Sequence, residues 1–457
     1  LKHLLLVGAG HAHLYVLKKL QRQALSGVRV TLLTPNDHQY YSGMLSGCVE
    51  GIYSIDQIRI YVGQMVERAG IQWIKDTAVS IDPDRKTVLT SQGESVLYDA
   101  VSFDIGSLTS GVELPGVLNY TETLKPNYRF PVLLEKVRSA ENLVIVGGGV
   151  AGTELSLSLQ TWRNKNGKKP LSLVSTTALM ARGAPYVSQR VQNLLNHKGV
   201  KLYLYQRADQ VMKDRIVLAP SNEEIPFDAL LWVTGPRPPE LFTKSSLSVD
   251  KGYLLVDKTL QAKHYPSVFG VGDCIKIAEE PPLAKAGVYP VRQAPFLWKN
   301  LKRFFKGKPK RRYQPHFSFL SILATGNREG LMLYLGCAFH GRLVWLIKTI
   351  MDRRFIWLYS HQTPANDLMS NQWLKRIGLT LVAILVVGFA YLFFTTTYHP
   401  VMSMMASLIF SSIFDFAFAL LAIVLVVILV IVLFLERLSF QSSTRDQSET
   451  TTSCKRR

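Results

Sequence analysis

Short, largely apolar runs recur along most of the chain, and glycine breaks several of them. Residues 4–7, 28–33, 143–146, 171–174 and 229–233 are of this kind, as are 100–105 and 267–271 with their glycine turns. A continuous apolar run of a few residues, bounded by turn signals, suits a strand buried on both faces. Helical periodicity follows the first and the fourth run, over residues 14–20 and 155–162. Strands alternating with helices in this way predict parallel sheets, and so an α/β architecture of two doubly wound, Rossmann-like domains. The C-terminal end has a different pattern. Residues 377–396 and 416–435 are nearly pure hydrocarbon, and about twenty such residues are enough to cross a bilayer as a helix. They predict a C-terminal transmembrane helical hairpin.

Charge orients that hairpin. Lys375 and Arg376 precede the first span, and Arg437, Arg445, Lys455, Arg456 and Arg457 follow the second, whereas the connector 397–415 has no lysine or arginine. The positive-inside rule then places both termini and the catalytic domains on the cytoplasmic side of the membrane. Asp415, at the edge of the second span, reads as an interfacial residue. The net charge of +20 is compatible with nucleic acid, an anionic membrane surface or anionic substrates. Its position favours the membrane: the basic run 299–312, interleaved with Phe304 and Phe305, and the amphipathic stretch 341–359 both precede the apolar spans. No nucleic-acid partner is expected. The run 4–7 is interrupted by Gly8 and Gly10 before an export signal could form. Cys48, Cys274, Cys337 and Cys454 are widely spaced, so neither a disulfide scaffold nor a metal site is expected.

The chemistry lies in the glycine turns. The first strand runs into Gly8-Ala9-Gly10-His11-Ala12-His13 and then a helix. Two glycines there leave backbone N–H groups at the helix end unobstructed for a pyrophosphate, and His13 stands where a third glycine is usual. The next strand ends at Thr34-Pro35, with Asp37 close behind, at the place where a carboxylate commonly meets a ribose. Tyr40-Tyr41-Ser42-Gly43-Met44-Leu45-Ser46-Gly47 is rich in small residues and aromatics, and Asp104-Ile105-Gly106-Ser107 is a strand end running into a glycine turn. The second unit, Gly147-Gly148-Gly149-Val150-Ala151-Gly152-Thr153-Glu154, has all three fingerprint glycines. Its closing strand ends at Ser175, which leaves NADH and NADPH both open. A strand ending at Gly235 marks a return toward the first domain, and Gly272-Asp273 puts a carboxylate on a turn where it can accept a cofactor hydroxyl. Two such units in one chain argue for two dinucleotide sites.

This order of motifs resembles the pyridine nucleotide-disulfide oxidoreductase superfamily, in the branch without an active-site disulfide that includes type II NADH dehydrogenases and sulfide:quinone oxidoreductases. The blocks Gly8 to His13, Tyr41-Ser42-Gly43-Met44-Leu45, Asp104 to Ser107, Lys125-Pro126 with Arg129-Phe130, and Lys285-Ala286-Gly287-Val288-Tyr289-Pro290-Val291-Arg292-Gln293 resemble most closely the flavoproteins also found fused to selenide, water dikinase. The resemblance implies FAD on Gly8, Gly10, Gly106 and Asp273, with His13, Thr34, Ser42, Gly43, Asp104 and Gly272 as further cofactor contacts. It implies NAD(P)H on Gly147, Gly149 and Gly152, with Ser175 and Gly235. Glu154 would lie near nicotinamide and flavin, Lys285 would stabilise negative charge on the reduced ring, and Tyr289 and Gln293 would meet a quinone. Arg292-Gln293 stand where a glutamine pair is usual, and the cysteines lack a persulfide-relay spacing, so sulfide oxidation is not expected.

The resulting expectation is a cytoplasmic-membrane flavoprotein that passes electrons from NADH or NADPH through FAD to the membrane quinone pool. A soluble sulfur or selenium acceptor and a non-catalytic redox sensor are the alternatives, and a homodimer is compatible with either. The expected organisation is an FAD domain in two parts, 1–110 and 250–325, around an NAD(P)H domain, 111–249. A membrane-facing amphipathic segment, 326–376, the hairpin, 377–437, and a polar tail, 438–457, follow.

Overall fold

The computed structural model describes residues 1–360 apart from 182 and 335. The two apolar spans, the hairpin and the tail lie outside the described residues. Among the described residues no helix is long and apolar enough to cross a membrane.

In chain order the first module comprises β1 (Lys2–Val7), α1 (His11–Arg22), β2 (Val28–Leu33), the short α2 (Leu45–Val49), β3 (Gln72–Ile74) and β4 (Ala100–Phe103). The second comprises β5 (Leu143–Val146), α3 (Val150–Lys165), β6 (Ser172–Ser175), α4 (Pro185–Lys198), β7 (Lys201–Leu204) and β8 (Ala229–Trp232). β9 (Tyr265–Gly270) and α5 (Val288–Phe305) come next, then β10 (Ser321–Gly326), β11 (Glu329–Tyr334), β12 (Cys337–Gly341) and α6 (Arg342–Ser360).

β9, β4, β1, β2 and β3 lie side by side, all parallel, so the first sheet takes strands from both sides of the second module in sequence. β8, β5, β6 and β7 form the second parallel sheet, with residues 122 and 123 beside β8. The apolar runs are buried as their pattern predicts: Leu4, Leu5 and Leu6 are fully enclosed, each contributing about 1.5–3 kcal/mol of transfer free energy. In both sheets the strand, glycine turn and helix bring a helix N-terminus to the carboxyl end of the strands, where ligands of open α/β sheets bind.

Beyond residue 320 the chain departs from the expectation. β10, β11 and β12 form an antiparallel sheet, and β10 runs across the boundary expected at 325/326. That sheet packs on α3 and carries α6. α6, within the expected membrane-facing segment, buries Val344, Trp345, Lys348, Asp352 and Tyr359 on its inner face. The run 299–312 is also anchored inward: Phe304 sits edge-on to Phe269 at 5.8 Å, and the Asn300 side chain bonds both N–H and carbonyl of Arg311. Its aromatics serve the core of the first module.

Candidate active site between two glycine turns

α1 begins three residues earlier than the periodicity predicts. The reason is a side chain far away in sequence: the Asp104 carboxylate, at the end of β4, accepts the N–H groups of Ala12 (2.8 Å) and His13 (2.9 Å) through Oδ2. These are two of the donors a helix leaves unsatisfied at its start. Gly10 donates to the Asp104 carbonyl at 3.2 Å, and Gly8, at φ +85°, passes so close that an added Cβ would fall 2.5 Å from that same oxygen. His13, among the expected cofactor contacts, lies inside the turn. Its ring is fully buried, donating from Nδ1 to the Gly8 carbonyl (2.6 Å) and accepting at Nε2 from the Ser102 hydroxyl (2.9 Å). Desolvation holds it down to about 4, so it is neutral. It braces the turn from behind. Thr34 is buried too, its carbonyl held by the Trp73 indole at 3.1 Å.

Gly106 and Gly272 face the same cleft. Gly106, at φ +69°, would meet no protein atom within 4 Å if it carried a Cβ. Gly272 donates its N–H to Gln293 Oε1 at 2.7 Å. Beside it, the Asp273 carboxylate accepts from Ser107 Oγ (3.2 Å) and pairs with Lys125 (3.4 Å), which reaches over from the segment before β5. Lys285 is half-buried, donating to the Ile275 carbonyl (2.6 Å) over the Tyr253 ring, and burial lowers its pKa.

Tyr289 and Gln293, the expected quinone contacts, stand on α5 and are 3% and 1% exposed. The tyrosine packs edge-on to Phe319 and the glutamine accepts from the Gly272 N–H.

The second turn is built from backbone alone. Gly147 (φ +133°) and Gly152 are compelled by the protein: an added Cβ would fall 2.2 Å from the Val233 carbonyl at the first and 1.9 Å from the Gly147 carbonyl at the second. Gly149, at the start of α3, has an ordinary extended conformation and open space where a Cβ would go. Ser175 is buried, and a Cβ on Gly148 would fall 2.1 Å from its hydroxyl oxygen. Gly235 is pinned by Ser110, which donates to its carbonyl at 2.7 Å.

Glu154, one turn into α3, ties three regions together. Its Oε1 accepts from Ser46 Oγ on α2 (2.8 Å) and from the Ala324 N–H on β10 (2.9 Å). Near it lies a group of residues that was not singled out from the sequence. Lys348 donates to Asp352 (2.7 Å) and to the Gly43 carbonyl, and the Tyr41 hydroxyl bonds Asp352, whose carboxyl burial pushes above its ordinary range. Tyr41 stacks on Phe355 at 4.1 Å, and the His11 ring lies 5.3 Å from Phe355. The 40–47 segment is thus a largely buried element under α6, with Ser42 exposed at its rim. A lysine and an aspartate four apart on the otherwise apolar inner face of α6 were the available signal.

Comparison with known proteins agrees with this layout. The pyridine nucleotide-disulphide oxidoreductase family model matches residues 2–290. A type II NADH:quinone oxidoreductase of Staphylococcus saprophyticus is 25% identical over 391 residues, 78% of this chain and 95% of that protein. NDH2 from Plasmodium falciparum, solved in complex with NADH, superposes with a TM-score of 0.66 at 14% identity, over 78% of this chain and 97% of that one. The sulfide:quinone oxidoreductase of Aquifex aeolicus gives 0.65 at 18%, over 78% and 91%. The two structures share the fold.

Proposed function

Because the chain belongs to the pyridine nucleotide-disulphide oxidoreductase family, we propose that it is a membrane-attached flavoprotein that oxidises NADH through FAD and delivers the electrons to a quinone. The observation that carries the reading is the pairing of two unlike helix ends. Gly149 presents bare backbone that the fold does not require, and Glu154 on the same helix reaches across to α2 of the first module. The second unit thus touches the 40–47 segment of the first module. The type II NADH:quinone oxidoreductase relative supports the choice of electron donor and acceptor.

FAD fits the first cleft, where Gly106 opens on free space and Asp273 is held on a turn by Ser107 and Lys125. Bound there, FAD would supply the two-electron chemistry that no side chain can. Gly8, Gly10 and Gly106 would let its backbone-bound part approach, and Lys285, cationic beside Asp273, would favour negative charge on the ring. NADH would lie over Gly147, Gly149 and Gly152, with Glu154 at the junction. The acceptor would meet Tyr289 and Gln293 on α5.

Membrane attachment rests on the two apolar spans and on the outer face of α6, where Leu343, Leu346 and Ile350 recur at helical spacing and are 41–53% exposed. Mixing flavin-loaded protein with NADH and then with a quinone analogue in a stopped-flow instrument tests the whole reading. NADH should bleach the flavin and the quinone should restore it within one turnover. Restoration by a soluble sulfur or selenium compound but by no quinone would replace the acceptor.

A further inference from the structure

The N-terminus of α1 is a place for an anion, and an anion of the protein already occupies it. Asp104 is 4% exposed, with Oδ2 on the N–H groups of Ala12 and His13. Its other oxygen lies between the two cofactor turns: a Cβ added to Gly10 would fall 2.3 Å from Oδ1, and one added to Gly272 2.9 Å. The second turn has no counterpart, since Gly149 opens on free space. FAD carries a diphosphate with two negative charges, and on the reading above it comes to this same helix end. Like charges so close, away from water, disfavour one another strongly.

The groups around Asp104 offer no compensation. From α1, His13 donates its backbone N–H to it, and desolvation holds its ring, like that of His11, down to about 4, so neither is a cation at neutral pH. From the turn after β9 come the Asp273 carboxylate and the Cys274 thiol, the latter pushed up to about 12 by burial and uncharged. From α5 comes the neutral Gln293, which is bonded to Gly272. Lys125 pairs with Asp273, and Lys285 is tied to the Ile275 carbonyl. Among the described residues Asp104 has no ion pair.

We propose that Asp104 takes up a proton as FAD binds, so that the first turn meets the diphosphate with a neutral carboxylic acid and holds FAD more tightly at neutral than at alkaline pH. The protonated group still accepts both N–H bonds at Oδ2. Its proton resides on Oδ1, where it is a donor facing the Gly10–Gly272 gap and a carboxylate would be only an acceptor. Burial already pushes this carboxyl up to about 7, against the pull of the two N–H bonds, and the bound diphosphate raises it by about 2 more, enough to keep it protonated near pH 9.

The inference rests on FAD as the cofactor of the first turn, and its test reads binding instead of turnover. Full-length protein in detergent, stripped of flavin, is titrated with FAD by flavin fluorescence from pH 6 to pH 9. The dissociation constant should be nearly flat below pH 7 and rise roughly fiftyfold between pH 7 and pH 9. Asp104→Asn keeps the acceptor and the donor without a titrating group, and its dissociation constant should change by less than about threefold over that range. Lys125 and Lys285 are present in both proteins, so their titration cancels in the comparison. Calorimetry at pH 8 in two buffers of different ionisation enthalpy should count about one proton taken up per FAD in the unsubstituted protein, and none in the variant. Parallel pH profiles, or no proton taken up by the unsubstituted protein, overturn the proposal. The second measurement decides even if the variant does not fold. Absence of FAD binding at every pH would sink the cofactor reading itself.

Discussion

The two glycine turns carry nearly the same signature and solve different problems. In the first, the glycine at the helix start makes room for a side chain: a Cβ on Gly10 would collide with the Asp104 carboxylate, 2.3 Å from its Oδ1. In the second, Gly147 and Gly152 make room for backbone, while the glycine at the helix start, Gly149, makes room for nothing that belongs to the protein. The first helix end thus carries the chain's own carboxyl on two of its N–H groups, and the second carries none. The same residue type at the same place can answer to packing or to a ligand, and only its surroundings tell which.

Substitutions separate these demands. The largest effect is expected at Gly152, where a methyl group would meet the Gly147 carbonyl at 1.9 Å and neither backbone can yield. Gly152→Ala should destabilise the second module by about 3 kcal/mol or more, read as a lowered thermal midpoint; an unchanged midpoint would refute the backbone reading.

Gly149→Val should do the opposite. Its extended conformation suits a branched residue and the space is free, so the thermal midpoint should stay put while NADH binding weakens about a hundredfold, or about 2.7 kcal/mol. Titration of the flavin-loaded protein with NADH measures it, and unaltered affinity would close the second turn as a site.

A smaller loss, about 1–3 kcal/mol by urea unfolding of the flavin-free protein, is expected for Gly10→Ala, whose clash is with a side chain. Removing that side chain should rescue it: Asp104→Ala combined with Gly10→Ala should be less destabilised than the sum of the two, by about 1 kcal/mol or more. Strict additivity would show that Gly10 answers to something other than Asp104.

The smallest effect is expected at Ser175. Its hydroxyl is packed under Gly148, so Ser175→Ala should leave the ratio of NADH to NADPH activity within about twofold, a change of about 0.4 kcal/mol. A larger shift in that ratio would return Ser175 to the ribose.

Much of this molecule is legible without its structure because its units are local. A run such as residues 143–146 is apolar throughout since β5 is covered on both faces, and the glycines that follow are needed within a few residues of where they stand. Strand and turn are thus dictated by neighbours in the chain. What the sequence leaves open shares the opposite cause. Tyr289 and Gln293 sit in a motif associated with an acceptor, yet α5 turns them inward, and which face of a helix is covered depends on what packs there. The aromatics at 304 and 305 belong to the core for the same reason.

The sequence by itself determined the fold class, the two helix ends and the glycines that expose them, since periodicity and backbone freedom act over a few residues. Only the tertiary structure decided what stands at those ends. Asp104 reaches Ala12 and His13 from β4, Glu154 reaches Ser46 and Ala324, and Lys348 and Asp352 reach Gly43 and Tyr41 from α6. Each of these carboxylates and ammonium groups is away from bulk water and must find its partner wherever packing brings one. No local pattern names that partner, because the distance along the chain is closed by burial of apolar surface, which has no direction of its own.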